Sequence, residues 1–122
     1  MTRDEVWAFL QARARAWETG DLDGIAAGYA PDVVLIAPGG IRLEGIEALR
    51  ENNARYFADY ADIRVNLTRL VLDGDEGALE WTWSETRRAD GRRRSVDDAI
   101  VFVLRDRKIA YWREYFDTAE LT

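Results

Sequence analysis

Residues 77–117 read GALEWTWSETRRADGRRRSVDDAIVFVLRDRKIAYWREYFD, and the spacing of their apolar side chains decides the fold. Side chains alternate between the two faces of a strand, so each strand sorts without further information. From Gly77 to Arg88, Leu79, Trp81, Trp83 and Glu85 share one face, while Ala78, Glu80, Thr82, Ser84 and Thr86 share the other. From Arg92 to Arg105, one face holds Val96, Asp98, Ile100, Phe102 and Leu104. From Ile109 to Asp117, Trp112, Glu114 and Phe116 lie together. Ala89-Asp90-Gly91 and Asp106-Arg107-Lys108 supply the turns, which makes the stretch an antiparallel meander. A turn as short as the second favours positive φ, so Arg107 is expected to be left-handed.

Working outward, Ile63, Val65 and Leu67 alternate with polar residues before the turn Asp73-Gly74-Asp75, adding one more long strand. The N-terminal half has a helical period instead. Thr2-Arg3-Asp4-Glu5 has the form of a capping box, Val6, Phe9, Leu10, Ala14 and Trp17 follow at helical spacing, and Gly20 ends the run. Asp21 opens a short second helix carrying Leu22, Ile25, Ala26 and Tyr29, which Ala30-Pro31-Asp32 closes. Val33–Ala37 and Ile41–Leu43 form a short hairpin across Pro38-Gly39-Gly40, and a third helix runs from Gly45 to about Tyr60 with Ile46, Leu49, Phe57 and Tyr60 on one side. Helices first and a meander of long strands after them is an α+β pattern, here one domain spanning 1–122.

Composition narrows the chemistry. The 122 residues are 48% apolar and 33% charged, as in a globular protein, with no run near the roughly 18 apolar residues of a membrane span and no signal-peptide core. A cytoplasmic location is expected. A net charge of −6 argues against a nucleic-acid backbone as partner. The arginines at 87–88 and 92–94 read as a solvated hairpin tip. There is no cysteine and no histidine. That excludes thiol nucleophiles, catalytic triads built on imidazole, and Cys or His metal sites. Acid–base chemistry must fall to carboxylates, tyrosine, lysine or water.

The order of these elements, and the stretches WETGDLDGIAAGYAPDVV (17–34), GIEALREN (45–52), VLDGDEGALEWTW (71–83) and IVFVLRDRKIAYWREYFD (100–117), resemble SnoaL-like members of the NTF2-like superfamily. The resemblance covers nearly the whole chain. It implies a cone in which N-terminal helices pack on a strongly curved antiparallel sheet around one small-molecule pocket. It also implies a homodimer. The mixed outer face of Thr82, Ser84, Val101, Val103, Tyr111 and Tyr115 suits such an association.

The same resemblance sharpens the site. In limonene-type epoxide hydrolases two carboxylates on these strands activate water and protonate the epoxide, and the matching positions are Glu85 and Glu114. The arginine between them falls at Trp83, and the water-holding tyrosine and asparagine fall at Leu35 and Ala37, so three of that family's positions are lost. Ketosteroid isomerases match less well: their base falls at Ala37, their oxyanion tyrosine near Arg13 and their protonated aspartate near Ile100. The expected catalytic pair is therefore Glu85 and Glu114. The expected pocket lining is Trp17, Tyr29, Leu35, Phe57, Trp81, Trp83, Asp98, Ile100, Trp112 and Phe116, with Asp98 a lesser candidate than either glutamate. No metal or cofactor is called for.

Two readings of the glutamates stay open. As a facing pair in an aromatic pocket they would raise one another's pKa and serve as acid and base. As arginine-paired structural residues, with Arg13, Arg87 or Arg113 as partners, they would be inert. The first reading makes the chain a cofactor-free hydrolase, isomerase or cyclase acting on a neutral, mostly apolar metabolite. The alternatives are a non-catalytic module binding a small hydrophobic ligand, or an association module working through the outer sheet face.

Overall fold

A computed structural model describes residues 1–121 of the chain. The capping box forms as its spacing predicts. Thr2 Oγ1 accepts from the Glu5 N–H at 3.2 Å, and Glu5 Oε1 accepts from the Thr2 N–H at 2.9 Å, which starts α1 (Arg3–Thr19). Val6, Leu10 and Ala14 bury one stripe of α1, and Gly20, at φ 68°, ends it in the left-handed conformation glycine tolerates best. The Asp21 side chain accepts from the Gly24 N–H at 2.9 Å and caps α2 (Leu22–Ala27).

The second helix is shorter than its pattern suggests. Tyr29 belongs to the next strand, β1 (Tyr29–Ala37), which runs through Pro31. Proline is tolerated there because β2 (Ile41–Glu44) pairs only with residues 34–37, and the pairing with the strand on the other side slips between Tyr29 and Val34. Helix α3 (Ile46–Asp59) follows, then β3 (Tyr60–Asp73), β4 (Glu76–Arg87), β5 (Arg93–Arg105) and β6 (Lys108–Tyr115). A 3₁₀ turn at Thr118–Leu121, which the sequence pattern does not announce, closes the described chain.

The sheet order is β2-β1-β6-β5-β4-β3. β3 to β6 form the antiparallel meander. β1 lies parallel to β6, so the six-stranded sheet is mixed. Bulges keep the inner face apolar where strict alternation would break it. One between Val103 and Leu104 allows Ile109 and Trp112, three residues apart, both to be buried beside Leu104 and Phe102. Another near Thr68 does the same for Leu67 and Leu70. The core lies between this face and α1, with Leu10, Leu79, Ile100, Phe102 and Ile109 almost wholly removed from water. On the opposite face Val71, Val101 and Tyr115 stay exposed. None of the described helices is long and apolar enough to cross a membrane.

In the β5–β6 turn both Asp106 (φ 53°) and Arg107 (φ 63°) are left-handed, as a two-residue type I′ turn requires. Arg107 also donates to Glu5 Oε2 at 2.8 Å, and this bond is the main cause holding the exposed Glu5 carboxyl at about 2. Replacing Arg107 by glycine is expected to raise the melting temperature, since it relieves a backbone cost of about 1 kcal/mol. The Glu5 carboxyl should then titrate closer to an ordinary glutamate. A lower melting temperature in high salt, where the exposed ion pair is screened, would show that the turn carries no strain.

Candidate functional site

Where the cone opens, a cavity of about 330 Å³ is enclosed by α1, α3, both ends of β1 with its turn into β2, the inner face of β4–β6 and the C-terminal turn. Trp17, Tyr56, Trp81, Trp83, Trp112 and Phe116 are among its aromatic lining. The rings brace one another: Trp81 lies 5.6 Å from Trp112 and 6.0 Å from Trp83, and Trp83 lies 5.3 Å from Trp17 in an edge-on contact. Such contacts fix the shape of the space before anything enters it.

Asp98 and Glu114 bring the acidity. Ile100 pairs with Glu114 across β5–β6, so Asp98, two residues before Ile100, lies diagonally across from Glu114 on the same inner face. Both carboxyls line the cavity. Burial pushes Glu114 well above the usual carboxylate range, and the neighbouring Asp98 carboxyl pushes it further by hydrogen bond and by charge. Burial also raises Asp98, opposed by its contacts with Glu114, the Trp81 indole and the Tyr115 backbone. Asp98 Oδ1 and Trp81 Nε1, on residues directly opposite across β4–β5, are buried with no hydrogen bond of normal geometry. Both carboxyls thus stand above their ordinary range, Glu114 well above it. The two titrate as one unit.

Glu85 has a different fate. It faces inward with Trp81 and Trp83 as expected, but it is completely buried and does not line the cavity. Its cross-strand partner is Arg94, whose Nε and Nη2 both lie 2.6 Å from Glu85 Oε2. Its other oxygen accepts from Trp83 Nε1 at 2.6 Å and from the Tyr56 hydroxyl. Burial raises the Glu85 carboxyl, and Arg94 opposes that rise. Among the described residues no contact joins Glu85 to Glu114, so the carboxyl pair facing the cavity is Asp98–Glu114. Arg94 is not part of a solvated tip either. It stacks 4.5 Å over Tyr60 and donates to the Leu121 carbonyl at 2.8 Å, which fixes the C-terminal turn against the cavity mouth.

Of the other expected residues, Trp17, Tyr29, Leu35, Trp81, Trp83, Trp112 and Phe116 line the cavity. Phe57 instead packs 5.3 Å behind Trp17, and Ile100 is sealed in the core. Sequence reasoning passed over Asn53 and Tyr56. They continue the buried stripe of α3 at four and seven residues from Leu49, and a polar Asn53 that is nearly inaccessible on that stripe is the signal. It also passed over Arg13 as a lining residue. Among the described residues no cluster of Asp and Glu has the arrangement of a metal site.

The family model of the SnoaL-like domain matches residues 6–112, and the chain belongs to that family. No curated protein matches it by sequence. Solved structures do match it in shape. An epoxide hydrolase of M. tuberculosis described as LEH-like has a TM-score of 0.83 at 24% identity, over 96% of this chain and 86% of that one. A protein of Catenulispora acidiphila DSM 44928 with a ketosteroid isomerase-like fold, in complex with trimethylamine, has a TM-score of 0.84 at 19% identity, over 92% and 87%. TerC co-crystallised with polyporic acid has a TM-score of 0.83 at 22% identity, over 96% and 95%. At these identities the likeness is one of fold.

If Glu85 is a structural anchor, removing its counter-ion leaves a buried charge. Arg94→Met is expected to cost about 3 kcal/mol in urea unfolding, and adding Glu85→Gln should recover much of it. A loss below about 1 kcal/mol, the scale of an exposed pair, would contradict the assignment.

Proposed function

We propose that this SnoaL-like domain is a cofactor-independent enzyme that binds a small, mostly apolar molecule and moves a proton to or from it with the Asp98–Glu114 pair. The observation that carries this reading is the pair itself: two coupled carboxyls facing an aromatic cavity, with Glu114 driven well above the ordinary range. A chain without histidine needs one carboxyl holding its proton beside one that has lost it, and mutual repulsion in an apolar setting provides that near neutral pH. Asp98 is then the base and Glu114 the acid. Glu114 keeps the role expected of it from sequence, and Asp98 takes the partner role in place of Glu85.

Function requires Asp98 ionised and Glu114 protonated. Activity therefore falls as acid protonates Asp98, above the usual aspartate value, and falls again as base removes the Glu114 proton. The profile is a bell whose two limbs belong to the pair.

The neighbours bound to polyporic acid and to trimethylamine support small-molecule binding in this fold, and the hydrolase-like neighbour supports catalysis in it. A non-catalytic carrier would need the cavity and its aromatic wall but not the pair.

A carbon acid of suitable shape separates the two. With 2-tetralone in D₂O, wild type should accelerate exchange of the α-protons over buffer, followed by NMR. Asp98→Asn and Glu114→Gln should each lower that rate by about a hundredfold, the scale of a lost general acid or base. Exchange at the buffer rate in wild type, or rates untouched by either change, would leave a binding module.

A further inference from the structure

The proposed chemistry uses the carboxyl pair and leaves one buried charge without a task. Arg13, on α1, is 5% exposed and lines the cavity, yet no carboxylate among the described residues forms an ion pair with it. Its Nη1–H donates to the Ile25 carbonyl at 3.0 Å, at the end of α2. Its guanidinium lies 4.6 Å over the ring of Tyr29 and 5.9 Å from that of Phe9. A guanidinium has five N–H donors, and capping one carbonyl with one of them does not balance a buried positive charge.

The fold also makes room for this cation. Gly28, between α2 and β1, has φ −85°, which any residue adopts, so its conformation does not demand glycine. The place of the guanidinium does: a Cβ built there would fall 2.1 Å from Arg13 Nη1 and push that end of the side chain away. Around the guanidinium the cavity gathers neutral polar groups. Burial raises the Tyr29 hydroxyl and keeps it neutral, against the pull of Arg13 and Asn53 beside it. Glu114 is the acidic group facing Tyr29, and while it holds its proton it offers a donor and no charge.

We infer that Arg13, with Tyr29 and Asn53 beside it, is a receptor for an anionic oxygen, so that the molecule bound here is a flat apolar body carrying a carboxylate or an equally acidic enol or phenol. This deepens the reading of the cavity given above and rests on it. The body lies against the tryptophan wall, and the head supplies the counter-charge that the protein withholds from Arg13. In a chain of net charge −6, a locally unpaired cation selects for anions that the rest of the surface repels.

The test compares two probes of the same shape, 2-naphthoate and 2-naphthamide, by calorimetry at neutral pH and low salt. Wild type should bind the carboxylate at least about tenfold more tightly, the equivalent of a single charge-assisted hydrogen bond. Arg13→Met should retain naphthamide binding and lose the preference. Should Arg13→Met fail to fold, Gly28→Ala carries the same test, because its methyl group displaces the guanidinium while leaving the charge in place; naphthoate affinity should fall and naphthamide affinity persist. Equal affinities in wild type, or a preference that survives the variant tested, would overturn the inference. Binding of neither probe would overturn it together with the cavity reading. Loss of tetralone exchange with the naphthoate preference intact would end the proton-transfer reading alone and sustain the anion receptor.

Discussion

A bare carboxylate is not tolerated inside an apolar cone, and three acidic side chains enter this one from three neighbouring strands. The structure answers that constraint in two ways. Glu85 is closed off completely and given Arg94, Tyr56 and Trp83 as donors. Asp98 and Glu114 have no ion-pair partner among the described residues, and burial raises both carboxyls. The first arrangement holds the sheet to α3 and to the C-terminal turn, since the same Arg94 also ties down Leu121. The second leaves a carboxyl pair lining the cavity. The buried anchor and the carboxyl pair of the cavity are the same electrostatic problem solved with different partners.

The cavity remains because the helices cover only part of the inner face. α1 packs chiefly on β3, and its apolar stripe of Val6, Leu10 and Ala14 fills the closed end of the cone. Toward the mouth the filling passes to aromatic rings braced against one another, which line the space without occupying it. Tyr29, paired with Ile109 at the start of β1, faces the same cavity as Glu114, and Gly28 gives Arg13 the room to lie over Tyr29. A buried cation and an acidic group thus line the same largely aromatic space.

Much of this was legible in the sequence, and the exceptions have physical causes. Period-two alternation placed Trp81, Trp83, Trp112 and Glu114 on the inner face, because a half-buried strand admits only one assignment of its apolar set. The capping box and Gly20 placed α1 for equally local reasons. Pairing across strands was harder to read. Glu85 meets Arg94 because the Ala89–Gly91 turn fixes that register, and a cluster of arginines beside a turn looks like a solvated tip. Parity held the clue, since Arg94 shares its face with Val96 and Asp98. The contact of Asp98 with Glu114 depends on the register of the β5–β6 hairpin, which alternation alone does not give. Tyr29 was assigned to a helix because the Pro31 that follows reads as a terminator, and only the pairing of β1 shows that the strand has already begun.

The central claim is that at neutral pH the Asp98–Glu114 pair holds one proton, mainly on Glu114. Infrared spectroscopy reads this without a substrate, from the carbonyl stretch of a protonated carboxyl. Wild type at neutral pH should show such a band, and Glu114→Gln should lose it. Removing the partner charge by Asp98→Asn should let the band disappear at a lower pH than in wild type, because the repulsion that holds the proton is gone. A neutral-pH spectrum with no protonated carboxyl, or a band that Glu114→Gln leaves unchanged, would contradict the account.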